Sequence, residues 1–300
     1  MVLYADADLT TLDAVKAQLS LTTSDATDDR LLQDFITAAS DLITQYCARS
    51  FVPYQATRLY DALGEHLGYS EASAHDGWTG QQTLTLDEDL LEVVTLTNGD
   101  SSVITSAQYV LRGKGYPKWM IELLPTAGIA WTYNTNWQNA LSVNAIWGFH
   151  EDYSRAWVST GDVVQDTGGI NASVQSITVT DADGKDARYR TRFQTGMLLK
   201  IESEYLKVVA VNTSTNALTV LRGVNGTTAA THAKSTAIGS FAPMRNIEQI
   251  CIALTAWLYR NRGTAGDSIQ LLMDGTKVIS GDVPVHIRQA MDQYARVRVR

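Results

Sequence analysis

Apolar residues recur at helical spacing in two stretches near opposite ends of the chain. In Asp28–Arg49 the stripe is Leu31, Leu32, Phe35, Ile36, Ala39, Leu42, Ile43, Tyr46 and Cys47, the three-and-four spacing of a helix with one buried face. Asp28 and Asp29 suit its positive N-terminal end, and Pro53 marks the exit. In Asn246–Arg262 the stripe is Ile247, Ile250, Cys251, Leu254, Trp257 and Leu258. Asn246 followed by Gln249 reads as a variant capping box, and Gly263 as the C-terminal stop. Neither stripe can be buried by its own helix, so the pattern predicts that the two ends close on each other. A shorter helix is predicted over Leu12–Leu19, capped by Thr10 or Thr11, with Leu12, Val15 and Leu19 inward. A last helix follows Asp282, with Pro284 in its first turn and Ile287, Met291 and Tyr294 on one face.

Between these helices the period shortens to that of strands. Thr83–Leu86, Glu92–Thr97, Tyr109–Leu111, Trp119–Leu123 and Leu141–Ile146 alternate or run β-rich, separated by turn signals at Asn98-Gly99-Asp100 and Gly113-Lys114-Gly115. Asn98-Gly99 predicts a hairpin. Glu151–Trp157 reads as a junction. Asn171–Thr180, Met197–Ile201, Tyr205–Val211 and Leu218–Arg222 then predict a compact β module, with a hairpin turn at Asn212–Asn216. The expected fold class is α+β: a helical domain built from the N- and C-terminal helices with a β-rich middle, plus an inserted small all-β domain, barrel or sandwich-like. The expected division is residues 1–157 with 241–300 as one domain and 158–240 as the insert.

Composition narrows the class without fixing the function. With 45% hydrophobic and 19% charged residues, the 300-residue chain falls among ordinary soluble folders. No run approaches the ~18 apolar residues of a membrane span, so no membrane association is expected. The start MVLYADADLTTLD lacks the basic and apolar regions of a secretory signal, and synthesis in the cytoplasm is the expectation. Cys47 and Cys251 both fall on apolar helix faces and read as core thiols. The net charge of −8 argues against general nucleic-acid binding. It is unevenly spread, with a net of −5 over residues 1–50 and +3 over residues 288–300. The basic tail reads as a solvated helix face or as a docking element for an acidic partner or a phosphate backbone.

Catalytic signatures are missing. Gly113-Lys114 and Gly184-Lys185 are followed by Gly115 and Asp186, so neither completes a phosphate-binding loop. His66, His75, His150, His232 and His286 share no ligand spacing. Asp181-Ala182-Asp183-Gly184 opens like a calcium loop, but Lys185 and Arg192 stand where an acceptor and a carboxylate are needed. No nucleophile elbow is present. The reading is therefore no enzyme, no catalytic residue, no metal and no cofactor. Five of the seven tryptophans lie between Trp119 and Trp157; core or subunit packing and a stacking surface for sugars or bases are the two uses open to them.

Two stretches carry a resemblance. The N-terminal helical pair, the text Ser50-Phe51-Val52-Pro53-Tyr54, the strand text LDEDLLEVVTLTNGD (Leu86–Asp100) and AWLYRNRG (Ala256–Gly263) occur in the order found in head–tail connector (adaptor) proteins of tailed bacteriophages, of the gp6-like/gp15-like kind. The resemblance covers residues 5–157 and 243–300. Gly196–Ile238 is similar to a small β module that recurs in phage virion proteins; Arg222-Gly223-x-x-Gly226-Thr227-x-Ala229-x-x-His232 is its most specific text, read as a folding motif first. The stretch Ser142–Trp157 runs into this insert and so departs from the minimal connector pattern. The resemblance implies a virion protein of the neck, forming a homo-oligomeric ring, usually a 12-mer, between the portal protein and a downstream neck or tail-completion protein, close to packaged DNA. It makes Arg288, Arg296, Arg298 and Arg300 the candidates for portal docking. The competing class is a receptor- or glycan-binding virion protein that uses the insert and its aromatics.

Overall fold

The computed structural model describes residues 7–68, 82–262 and 283–296. They form an α+β chain with four helices and two antiparallel sheets, most strands lying mid-chain. Contacts divide it into two compact units, residues 1–52 with 154–300, and residues 53–153. The expected junction at Glu151–Trp157 contains the second boundary. The contact-defined units are drawn differently from the expected domains: the strands after residue 154 group with the helices, and the middle strands stand apart.

The first unit carries helices α1 (Leu12–Leu19), α2 (Asp29–Cys47), α3 (Arg245–Asn261) and α4 (Val285–Asp292). The α2 stripe buries Leu32, Phe35, Ile36, Ala39, Ile43 and Cys47, as its spacing requires. Val15, Leu32, Ile36 and Ile252 share one core, against which Leu12, Leu19 and Tyr259 pack. Segments more than 200 residues apart thus meet: Ser40 Oγ lies 3.5 Å from Cys251 Sγ. Lys16, 2% exposed, pairs with Asp29 at 2.5 Å and donates to the carbonyls of Asp25 (2.7 Å) and Thr23 (3.3 Å). That lysine ties down the polar loop between α1 and α2. One expected cap differs, and one N-terminal acid takes a tertiary partner. Met244, not Asn246, precedes α3, and the exposed Asn246 donates from Nδ2 to Tyr294 Oη at 2.9 Å. Asp28 sits at the α2 N-cap without capping it; its carboxylate receives Tyr259 Oη and faces Arg262 instead. Gly263 and Asp282 lie outside the described residues.

The same unit holds a six-stranded sheet of β8 (Trp157–Val163), β9 (Ser176–Thr178), β10 (Leu198–Ile201), β11 (Glu204–Asn212), β12 (Ala217–Arg222) and β13 (Ala237–Phe241), in the order β8-β13-β10-β11-β12-β9. Gln165, just past β8, donates its backbone N–H to Thr178 O at 2.9 Å. The sheet edges therefore approach, and the sheet curls round a core that includes Phe193, Leu199, Ile201, Leu206, Val208 and Val220. The predicted strand at Asn171–Thr180 shrinks to β9 because residues 171–174 form a turn, Val174 N–H bonding to Asn171 O. The hairpin at Asn212–Asn216 is present, with Asn212 Oδ1 receiving Ser214 and Thr215 N–H. The curled sheet meets the helices through polar contacts: Asp8 N–H to Gly196 O at 3.0 Å and Thr191 Oγ1 to Asp13 at 2.7 Å.

The second unit is a sheet ordered β1 (Tyr54–Tyr60), β7 (Leu141–Trp147), β3 (Thr83–Thr97), β6 (Lys118–Leu123) and β5 (Tyr109–Arg112), with β2 (Leu67–Gly68) and β4 (Val103–Ile104) added to β3. The two strands predicted at 83–86 and 92–97 are one, interrupted by bulges at Leu90/Glu92 and Val93/Thr95 in its pairing with β7. Register sets the faces, because paired residues share a side. Tyr54–Trp147–Leu90 and Arg58–Val143–Leu96 point inward; Thr57–Asn144–Thr95 and Leu59–Ser142–Thr97 point outward. Asn98 closes the predicted hairpin, its N–H bonding to Ser102 O.

Candidate docking site

The C-terminal helix reaches its seat through apolar contacts. Ile287 and Met291 are buried; past the helix, Tyr294 meets the edge of Phe51 at a centroid distance of 6.1 Å. Around this seat lies the C-terminus of α2, where the last helical carbonyls have no intrahelical partner. Ala48, in the left-handed region at φ 50°, turns its N–H back to Gln45 and Thr44. Cys47 Sγ approaches Met291 O at 3.5 Å, and Arg296 N–H bonds to Cys47 O at 2.9 Å. The segment up to Arg296 is thereby tied to the α2 terminus, whose partial negative charge favours nearby cations.

Charge gathers at this point. Tyr46 Oη donates to Asp292; that bond, with burial and the Asp292 charge, pushes the phenol up to about 12, against the opposing Arg288. Burial pushes the Cys47 thiol up to about 12 as well, opposed by Arg49 and reinforced by Asp292. Cys251 reaches about 12, again chiefly through burial. Both thiols are free and held neutral, as core thiols rather than nucleophiles. Of the four sequence candidates, Arg288 and Arg296 are half-buried beside the α2 terminus, whereas Arg298 and Arg300 lie outside the described residues. Sequence reading passed over Tyr46 and Asp292 as a pair, since nothing in the local text joins positions 246 residues apart.

The Arg222–His232 motif encloses an ion network. Glu204, 1% exposed, receives Arg222 Nε and Nη2 (2.6 and 2.7 Å), the N–H groups of Gly223 and Ala230 (3.0 Å each) and sits 2.8 Å from His232 Nε2. Arg222 spends its other donors on the carbonyls of Asn171, Val174 and Ala230. Burial works against Glu204 ionisation, but Arg222, the Ala230 N–H and His232 outweigh it and hold the carboxyl below its ordinary range. Thr227 Oγ1 receives Tyr205 N–H and donates to Val224 O. At Gly223, with φ 62°, a Cβ would fall 2.8 Å from Ala229 N, which explains the glycine. With every Arg222 donor occupied, this cluster builds a loop. Glu204 was missed in the sequence because its acidic signal stands 18 residues from Arg222.

Arg192 resolves the calcium-like text at Asp181–Gly184. Its guanidinium reaches Asp162 Oδ2 (2.9 Å), Asp181 O (3.0 Å) and Lys185 O (3.2 Å). An internal cation thus occupies the oxygen-lined loop. Among the described residues, no group of three His, Cys, Asp or Glu side chains is placed to hold a metal. A cleft of about 40 Å³ lies among Asp8, Thr10, Arg190, Gln194, Phe241 and Glu248. That volume suits a few water molecules. Burial raises the Glu248 carboxyl there, against Arg190, Arg245 and Arg188. No helix among the described residues is long and apolar enough to cross a membrane.

Residues 9–77 match the family described as phage gp6-like head-tail connector protein. The matched segment holds α1, α2, the Ser50–Tyr54 text and β1, under a quarter of the chain, and it supports a head–tail connector assignment. No curated protein and no solved structure matches the chain.

Proposed function

We propose that this protein is a structural head–tail adaptor of a tailed-phage virion. Subunits form a homo-oligomeric ring, of twelve in the expected form, between the portal and a downstream neck or tail-completion protein, and the ring lines the DNA passage. The observation that carries this reading is the connector match over residues 9–77. The helices of that segment pack with α3. Residues 1–157 with 241–300 are the connector domain in this reading, and 158–240 is a module inserted into it. Closed rings need head-to-tail interfaces that meet after a full turn. The portal contact runs through Arg288 and Arg296, beside the α2 terminus, together with Arg298 and Arg300 of the basic tail. The reading involves no catalysis.

Electron microscopy of phage particles carrying the tagged chain tests position and symmetry together; density for the tag anywhere but the neck removes the proposal. The docking role has its own test. Tyr294 packs in the core, so deletions starting there damage folding and say nothing about docking. Arg288→Glu with Arg296→Glu keeps the buried residues and is expected to weaken attachment to portal-bearing capsids, most strongly at low salt. Attachment equal to the parent at all ionic strengths excludes these arginines from the contact.

A further inference from the structure

We infer that the loop Thr132–Asn139 is a contact surface for a second copy of this chain, received on the outer face of that copy's β1–β7–β3 sheet; the inference rests on the ring reading. All eight loop residues are exposed and none is charged. They include Tyr133 and Trp137, exposed by 37% and 38%. Aromatic and amide side chains without charge are the composition of protein-recognition loops, in which Tyr and Trp supply rigid contact area and Asn adapts by hydrogen bonding.

The loop is held at both ends. Asn98 Oδ1 receives Thr132 N–H at 3.0 Å, and Asn98 Nδ2 donates to Ala130 O at 2.9 Å. Gly99 bridges to Tyr133, and a Cβ there would fall 2.3 Å from Thr132 O. At the far end Ala62 N–H bonds to Trp137 O (2.7 Å) and Asn139 N–H to Asp61 (2.8 Å). Its aromatics are therefore presented with little ordering left to lose. Leu59, Leu63 and Val103 are also exposed.

Charge selects the occupant. Residues 124–140 contain no Asp, Glu, Lys, Arg or His in a chain of net charge −8. Covering the loop with a charged surface would strip water from those charges with nothing to pair them. This chain itself carries a matching neutral face. Its outward rows are Leu59–Ser142–Thr97 and Thr57–Asn144–Thr95, with Glu92 at the end remote from the loop. Loop and face are different surfaces, so the contact is head-to-tail.

The test uses the full chain in sedimentation velocity over a concentration series. The parent is expected to self-associate. Asn136→Asp on the loop and Thr57→Asp on the face are each expected to weaken association at least tenfold, while Ser214→Asp on the β11–β12 turn leaves it unchanged. Mixing the two weakened variants is the decisive arm: each keeps one intact surface, so a one-to-one pair forms and grows no further. A parent that stays monomeric, variants that associate like the parent, or a mixture that forms no pair overturns the inference. A monomeric parent retained on neutral glycans reassigns the loop to carbohydrate. Phage particles separate the two readings. Asn136→Asp chains that still build a normal neck overturn only the loop contact; a parent chain missing from the neck overturns the connector reading itself.

Discussion

The two sheets of this protein solve the problem of a small β structure in opposite ways. The curled sheet spends its buried polar groups internally: Glu204 with Arg222 and His232, and Asp162 with Arg192. Its exposed large apolar residues among the described positions are few, with Tyr189, Val209 and Leu221 foremost. The sheet of residues 53–153 keeps an aliphatic and aromatic core from Leu84 to Trp147, yet exposes Leu59, Leu63, Val94, Val103, Trp119, Tyr133 and Trp137. The curled sheet thus satisfies its buried charges within its own loops. The second sheet therefore leaves more large apolar side chains in water than the first does. The difference is the one expected if the self-contact inferred above uses the second sheet.

The largest effect is expected from breaking the cores separately. Trp147, fully buried and bonded through Nε1 to Ala56 O at 2.8 Å, should cost roughly 3–5 kcal/mol on truncation to Ala. Hydrogen exchange should then rise in residues 83–97 while residues 198–222 stay protected. Arg222→Ala should reverse that pattern at a similar cost of about 3–5 kcal/mol, because Glu204 is left charged and buried. Replacing both partners together, Arg222→Met with Glu204→Leu, should recover much of the loss in chemical denaturation; no recovery would show that the backbone bonds to Glu204 carry more than the ion pair.

Acid sharpens the same contrast by a smaller margin. Glu204 is held below its ordinary range, as argued above. So is Asp162, where burial is outweighed by the N–H groups of Thr180, Val163 and Asp181. A carboxyl depressed by folding contributes stability that is complete above the unfolded value of about 4 and is lost as pH falls through the folded value. Exchange monitored on descending pH should open residues 158–232 before residues 83–97. Simultaneous opening would deny the networks this role. The smallest effect belongs to the exposed apolar residues. Trp119→Gln and Val103→Thr should shift stability by no more than about 0.5 kcal/mol in thermal unfolding of the unassembled chain.

Periodicity made the helices legible because each amphipathic stripe repeats within its own segment. The helix Leu12–Leu19 and most of the α2 stripe lie where the spacing put them; in α3, Ile247, Ile250, Cys251, Leu254 and Leu258 are buried as expected, but Trp257 is only half-buried and Ile252 joins the shared core instead. Strand text was less informative. The turn at residues 171–174 was merged with the strand text that follows it, although Asn171 and Ser173 are turn-type residues, and β8 was not predicted: it starts at Trp157, where the expected junction ends. The caps show the limit most clearly: Asn246 and Asp28 are good N-cap residues by type, but Tyr294, Tyr259 and Arg262 offered partners that no local rule contains. The candidate docking site was half visible. A basic tail can be counted along the chain, but its attachment to the α2 terminus through Cys47 and Met291 cannot.

By itself the chain determined the helices, the α+β class, the absence of a catalytic signature and the resemblance carried by short ordered texts. These depend on neighbours a few residues apart, and periodicity and turn chemistry report such neighbours directly. Only the tertiary structure decided that Glu204 would be buried under Arg222, that Arg192 would fill the calcium-like loop, and that an uncharged aromatic loop would stand pinned at the surface. Each of these depends on which distant groups share a small volume, and hydrogen-bond partners separated by tens of residues are chosen by packing, not by the local sequence.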